Sequence, residues 1–135
     1  MDRVFLDANV LYSAAYLELA GLARLWSLND AQLLSSAYAI EEARRNLAMD
    51  RPEAVPRLKR LLESVSTVDA PQGLKLPDTI RLDPKDQPIL LAAIHGKAVY
   101  LLTGDAGHFG HLYGKRIDGL LVLRPAAYFE RRRRA

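Results

Sequence analysis

"DPKDQPILLAAIHGKAVYLLTGD", residues 83–105, passes from a helix pattern to a strand pattern across one glycine. Ile89, Leu90 and Ala93 follow Asp86 at i+3, i+4 and i+7, the spacing of one helix face. The spacing predicts a helix over about 86–95, closed by Gly96 in the usual C-terminal position. "AVYLL" (98–102) then reads as a strand, which the chain leaves through Thr103, Gly104 and Asp105. A helix that feeds straight into an apolar strand is the building unit of a sheet covered by helices.

The rest of the chain repeats that alternation. Residues 3–7 read as a short buried strand, and 10–28 as a helix with Leu19, Leu22, Ala23 and Trp26 on one face. "AQLLSS" (31–36) is a second strand, and Ser35 or Ser36 caps a helix to about Met49 with Ile40, Ala43 and Leu47 as its stripe. A further helix is expected over 53–63 and a strand at "SVSTV" (64–68), followed by a loop over 70–84. "GLLVL" (119–123) is the last strand, and Pro125 opens a short helix ending in Arg131 to Arg134. Strands apolar on both faces and separated by helices indicate an α/β fold, three layers with a central, mainly parallel sheet of four or five strands. Residues 1–130 form one domain, followed by a basic tail at 131–135.

The totals narrow the class. The chain has 135 residues, half of them apolar, which suffices for one domain with its own core. There is no cysteine, which excludes disulfides, thiolate metal sites and a cysteine nucleophile. No signal-peptide pattern and no apolar run near the roughly 20 residues of a membrane span is present, so a cytoplasmic protein without a membrane partner is expected. Net charge is +3, carried by 14 Arg against 5 Lys. Arginine's planar fork suits phosphate, although an arginine-rich proteome gives the same count.

In open α/β sheets ligands bind beyond the carboxyl ends of the strands. Asp7 ends the first strand in "VFLDANVLYSA" (4–14), and Asp105 follows the 98–102 strand. Asp86 begins the helix leading into that strand, on its apolar side, and so belongs to the same edge. Each acid has a local alternative: Asp7 as a helix cap, Asp83 and Asp86 as a capping pair, Asp105 as a turn residue. Three like charges at one edge nonetheless repel unless a cation joins them, and carboxylates suit Mg²⁺ or Mn²⁺. Glu41 and Glu42 both flank the apolar stripe of the 36–49 helix, and periodicity does not choose between them as a fourth ligand.

"FLDANVLYSA", "AIEEARRNL", the 83–105 stretch and "HFG…LVLRP" together resemble a PIN domain, in that family's order and spacing. A chain consisting of little else resembles the VapC-type toxins of toxin–antitoxin pairs. The resemblance implies a PIN-like, Rossmann-like fold and a Mg²⁺- or Mn²⁺-dependent endoribonuclease that cleaves single-stranded RNA by water attack on the phosphodiester. It assigns the metal-binding and catalytic carboxylates to Asp7, Glu42, Asp86 and Asp105, choosing Glu42 by its spacing from Leu47. Asn9 and Thr103 become supporting residues. Gly107 stands where many members carry a further acid, which favours a weak second metal or none. His108 resembles the histidine of a "TGDxxHF" subgroup, as a structural or substrate contact. Arg44, Arg45, Lys115 and Arg116 are candidates for following the RNA backbone. An antitoxin protein and a homodimer are the implied partners.

Two other readings compete. One is a PIN-like module that binds RNA or protein without cutting. The other is a receiver-like α/β domain, whose paired acids near the first strand and late lysine are not evident here.

Overall fold

The computed structural model describes residues Met1 to Arg134. Val4, Phe5 and Leu6 are fully buried and form the end of β1 (Asp2–Leu6), the middle of the sheet. β1 pairs in parallel with β2 (Ala31–Ser35) on one side and β4 (Tyr100–Leu102) on the other. β3 (Val65–Thr67) extends the sheet beyond β2, and β6 (Leu120–Leu123) extends it beyond β4, both in parallel. With β5 (Arg116–Ile117) beyond β6, the order is β3-β2-β1-β4-β6-β5. The chain first builds outward from β1 through β2 to β3, then returns to β4 on the other flank. That reversal lies between β1 and β4, the position where α/β sheets open a ligand crevice at the strands' carboxyl ends.

The sheet has six strands, beyond the expected four or five. The sixth is β5 (Arg116–Ile117), antiparallel to β6 at the edge. Asp118 (φ 51°) and Gly119 (φ 84°) join the two strands with positive φ at both turn positions, the geometry that asparagine-glycine or aspartate-glycine hairpins supply.

The helices are α1 (Ala8–Tyr16), α2 (Ala37–Asp50), α3 (Val55–Leu62), α4 (Gln87–His95), α5 (Ala106–Phe109) and α6 (Pro125–Arg134). The expected helix over 10–28 is not continuous. The Arg57 guanidinium on α3 donates to the carbonyls of Ala15 (2.7 Å) and Tyr16 (3.2 Å), closing α1 there. Leu19, placed on the apolar face by periodicity, has φ 61° and is 95% exposed. Residues Gly21–Ser27 form a separate 3₁₀ segment that buries Leu25 instead. A shorter 3₁₀ turn (Pro52–Ala54) leads into α3, and a last one (Gly110–Leu112) follows α5.

Gly96 ends α4 as expected, but for a different reason. Its φ is −73°, and the left-handed residue is Lys97 (φ 57°). Glycine is required because a Cβ there would lie 2.8 Å from Val68 Cγ2. At the chain's other end, Arg131 to Arg134 are the final turn of α6. Arg132 bonds Asp2, Asp30 and the Tyr128 hydroxyl, tying α6 to the amino edge of the sheet. Among the described residues, no helix is long and apolar enough to cross a membrane.

Candidate metal centre

Asp7 stands one residue beyond β1 and caps α1. Its Oδ1 accepts from the Ala8 amide at 2.7 Å, and its Oδ2 accepts from Thr103 Oγ1 at 2.8 Å and Asn9 Nδ2 at 3.1 Å. The capping alternative is therefore real, but it uses only one carboxylate oxygen. Asp7 is 5% exposed. Burial pushes its pKa up to about 6, the Glu42 and Asp86 charges add to the rise, and the bonds from Thr103 and Ala8 oppose it.

Thr103 and Asn9 lace β1 to β4. Thr103 Oγ1 accepts from Asn9 Nδ2 at 3.2 Å and from the Asp105 amide at 3.1 Å, while donating to Asp7. Asn9 Oδ1 accepts from the Gly104 amide at 2.7 Å. The Tyr113 hydroxyl donates to the Thr103 carbonyl at 2.8 Å. Asp105 caps α5 by accepting from the His108 amide at 3.2 Å. One hydroxyl thus fixes both the acid after β1 and the backbone of the acid after β4.

Asp86 differs from its neighbours. It holds the N-cap position of α4, yet its side chain makes no capping bond. The capping alternative accordingly fails for this carboxylate. It is 7% exposed, its Oδ1 accepts from Lys85 Nζ at 3.1 Å, and its buried Oδ2 has no hydrogen-bond partner. An orphaned carboxylate oxygen is costly unless a cation approaches it. Hard oxygen donors, one of them orphaned, fit a divalent cation.

Glu42 is half-buried, and its charge acts on Asp7, Tyr38 and Lys85. Glu41 is exposed and paired with Arg44 through both guanidinium contacts. The geometry thus separates two glutamates that periodicity left equivalent. Burial pulls the Lys85 ammonium pKa down, but Asp86, Asp105 and Glu42 together hold it above the ordinary lysine value.

His108 lies among the acids. Its Nδ1 is 3.0 Å from Asp86 Oδ2, 3.0 Å from Asp105 Oδ2 and 3.0 Å from Lys85 Nζ, and its Nε2 is 3.5 Å from Asp83 Oδ2. Asp83, Asp86 and His108 each bring a donor atom within 4.8 Å of the others. Arg45 is exposed on α2, where its charge reaches Tyr38 and Glu41. Lys115 and Arg116 are exposed on and beside β5, which is separated from β4 by β6, and the structure shows no bond from them to the acids.

Sequence reasoning did not single out Lys85, Tyr38 or Tyr113. Tyr38 is exposed, its hydroxyl donates to the Lys85 carbonyl at 2.7 Å, and the Glu42 and Asp86 charges act on it. The signal for Lys85 was its place between two acids in "DPKD"; for the tyrosines, the sequence carries none, because their contacts are long-range.

The comparisons agree with this architecture. A family model described as "PIN domain" matches residues 3–107. The structure of VapBC2 from Rickettsia felis, bound to a DNA fragment from its promoter, superposes with TM-score 0.63 at 15% identity, covering 90% of this chain and 98% of that one. The structure of VapBC-1 from nontypeable Haemophilus influenzae superposes with TM-score 0.58 at 16% identity, covering 92% of this chain and 98% of that one. At such identities the likeness is one of fold. A search of curated proteins finds no match in sequence.

Proposed function

This chain belongs to the PIN domain family, and from that premise we propose that it is a metal-dependent endoribonuclease acting on single-stranded RNA. The observation that carries the proposal is Asp86 Oδ2, buried without a hydrogen-bond partner, 3.0 Å from the same His108 nitrogen that lies 3.0 Å from Asp105 Oδ2, while the Asp86 and Glu42 charges both act on Asp7. A nuclease needs such an arrangement; a cap or a turn does not.

Asp7, Glu42, Asp86 and Asp105 are the residues that would hold Mg²⁺ or Mn²⁺. When bound, the ion lowers the pKa of a coordinated water and neutralises charge developing on the phosphate. Thr103 and Asn9 keep the Asp7 carboxylate fixed, so that little reorganisation accompanies the chemistry. Arg45, Lys115 and Arg116 supply exposed positive charge for the RNA backbone, and Arg44 joins them on leaving its pair with Glu41. Tyr38 offers an aromatic face at the rim on which a base can stack. Water attack on phosphorus with departure of the 3′-oxygen leaves 5′-phosphate and 3′-hydroxyl ends.

We further propose that the protein is the toxin of a toxin–antitoxin pair, with a partner protein and a homodimeric assembly. Support comes from the fold shared with the two VapBC structures. The test is incubation of unstructured RNA with the protein in Mg²⁺ and in chelator, with the ends of the products identified. Metal-dependent cleavage giving 5′-phosphate ends is expected. No cleavage, together with no Mn²⁺ binding at millimolar concentration, would instead indicate a binding module without activity.

A further inference from the structure

We infer that His108 is a nitrogen ligand of the divalent cation held by Asp86 and Asp105, with Asp83 orienting its ring, and that this biases the site toward Mn²⁺ or Co²⁺ over Mg²⁺. The inference deepens the reading of the acids as a metal centre and rests on it.

Three features of the structure support it. The first is spacing. Two ligands about 2.1 Å from one ion, at tetrahedral or octahedral angles, lie roughly 3.0–3.4 Å apart. His108 Nδ1 is 3.0 Å from both Asp86 Oδ2 and Asp105 Oδ2. Asp86 Oδ2 has no hydrogen-bond partner, so the contact with the imidazole is not an aligned hydrogen bond. Each of these two spacings is one that His108 Nδ1 and a carboxylate oxygen would have as ligands of one ion.

The second is the direction of the lone pair. Nδ1 already faces a cation, the Lys85 ammonium at 3.0 Å, which also contacts Asp86 Oδ1 at 3.1 Å. Accepting from that ammonium requires the imidazole proton on Nε2. Nε2 is the nitrogen turned toward Asp83 Oδ2, at 3.5 Å. A carboxylate behind the far nitrogen is the arrangement that fixes the tautomer and orientation of metal-binding histidines. Lys85 is more than half exposed, so its ammonium can swing outward when a metal ion enters.

The third is access. A cavity of about 290 Å³, lined by Asp83, His108 and His111 among others, opens beside the ring. It touches the ring on its Asp83 side, so solvent reaches His108 without displacing the core. The chemical consequence follows from ligand type: carboxylates alone suit Mg²⁺, whereas imidazole strengthens binding of the later divalent metals.

The test is metal binding by the intact chain, with Mn²⁺, Co²⁺ and Mg²⁺ as probes. Pulsed electron paramagnetic resonance of the Mn²⁺ form should show modulation from one directly bound ¹⁴N, and His108→Gln should remove it. By calorimetry, His108→Gln should weaken Co²⁺ roughly tenfold or more, and Mg²⁺ by less than about threefold. Asp83→Asn should weaken Co²⁺ while keeping the nitrogen signal. Bound Mn²⁺ without nitrogen modulation would overturn the role of His108 and leave the acidic centre standing. Equal Co²⁺ affinity in wild type and His108→Gln would overturn it as well. Absence of any Mn²⁺ binding would overturn both the metal centre and this inference. If His108→Gln does not fold, the wild-type nitrogen signal alone decides.

Discussion

Replacing Asp7 by asparagine should stabilise the metal-free protein in mildly alkaline buffer and destabilise it in acid. Burial raises the Asp7 pKa from 3.8 to about 6, and two units correspond to about 3 kcal/mol of charge penalty above roughly pH 7. The sign follows from proton binding: between about pH 4 and pH 6 the folded state holds more protons than the unfolded chain, so stability falls as pH rises. Asparagine carries no charge and removes that slope. It also loses an acceptor: Asp7 Oδ2 receives Thr103 and Asn9, and an amide nitrogen there cannot. Those two bonds are worth about 1–2 kcal/mol together. Asp7→Asn should therefore be about 1–2 kcal/mol less stable than wild type near pH 4 and about 1 kcal/mol more stable near pH 8, with a crossing near pH 5. Urea denaturation in chelator across this range measures the difference. Adding Mg²⁺ or Mn²⁺ at about a hundred times its dissociation constant should then stabilise wild type by about 2.7 kcal/mol and the variant by less. A stability difference that does not change with pH would refute the reasoning.

Thr103→Val keeps the shape but removes the hydroxyl that serves Asp7 Oδ2, Asn9 and the Asp105 amide. It should cost about 1–3 kcal/mol in denaturant unfolding and reduce RNA cleavage, and an unchanged midpoint would refute the bridging role. Gly96→Ala should cost about 1–3 kcal/mol, because the new methyl lies 2.8 Å from Val68 Cγ2 and 3.2 Å from the Ala92 carbonyl. Gly96→Ala with Val68→Ala should recover part of that loss, and full additivity of the two would show that the clash is elsewhere.

The alternation of strands and helices was legible because buried parallel strands are short apolar runs, and β1, β2, β4 and β6 each fall in one. Asp7 and Asp105 were legible because they follow strands, and Asp86 because it begins the helix that leads into one. What periodicity could not show was where a helix stops. The apolar repeat continues past Tyr16, but α1 ends where Arg57, 41 residues after Tyr16, takes its last carbonyls. The hairpin at Asp118 and Gly119 was signalled by its dipeptide, yet β5 has only two residues and no strand pattern to accompany it. Glu41 and Glu42 are adjacent, so periodicity alone did not distinguish them; the spacing from Leu47 did, and in the structure Glu41 pairs with Arg44 one turn away while the Glu42 charge acts on Asp7. The approach of His108 to Lys85 likewise depends on a contact across 23 positions of sequence.

Substituting these carboxylates tests most directly the proposal that they serve RNA cleavage. Single-turnover cleavage of a labelled, unstructured RNA in Mg²⁺ should proceed with wild type. It should slow roughly a hundredfold or more with Asp7→Asn and with Asp105→Asn, while both variants retain the wild-type circular dichroism spectrum. Equal cleavage by all three proteins would contradict it.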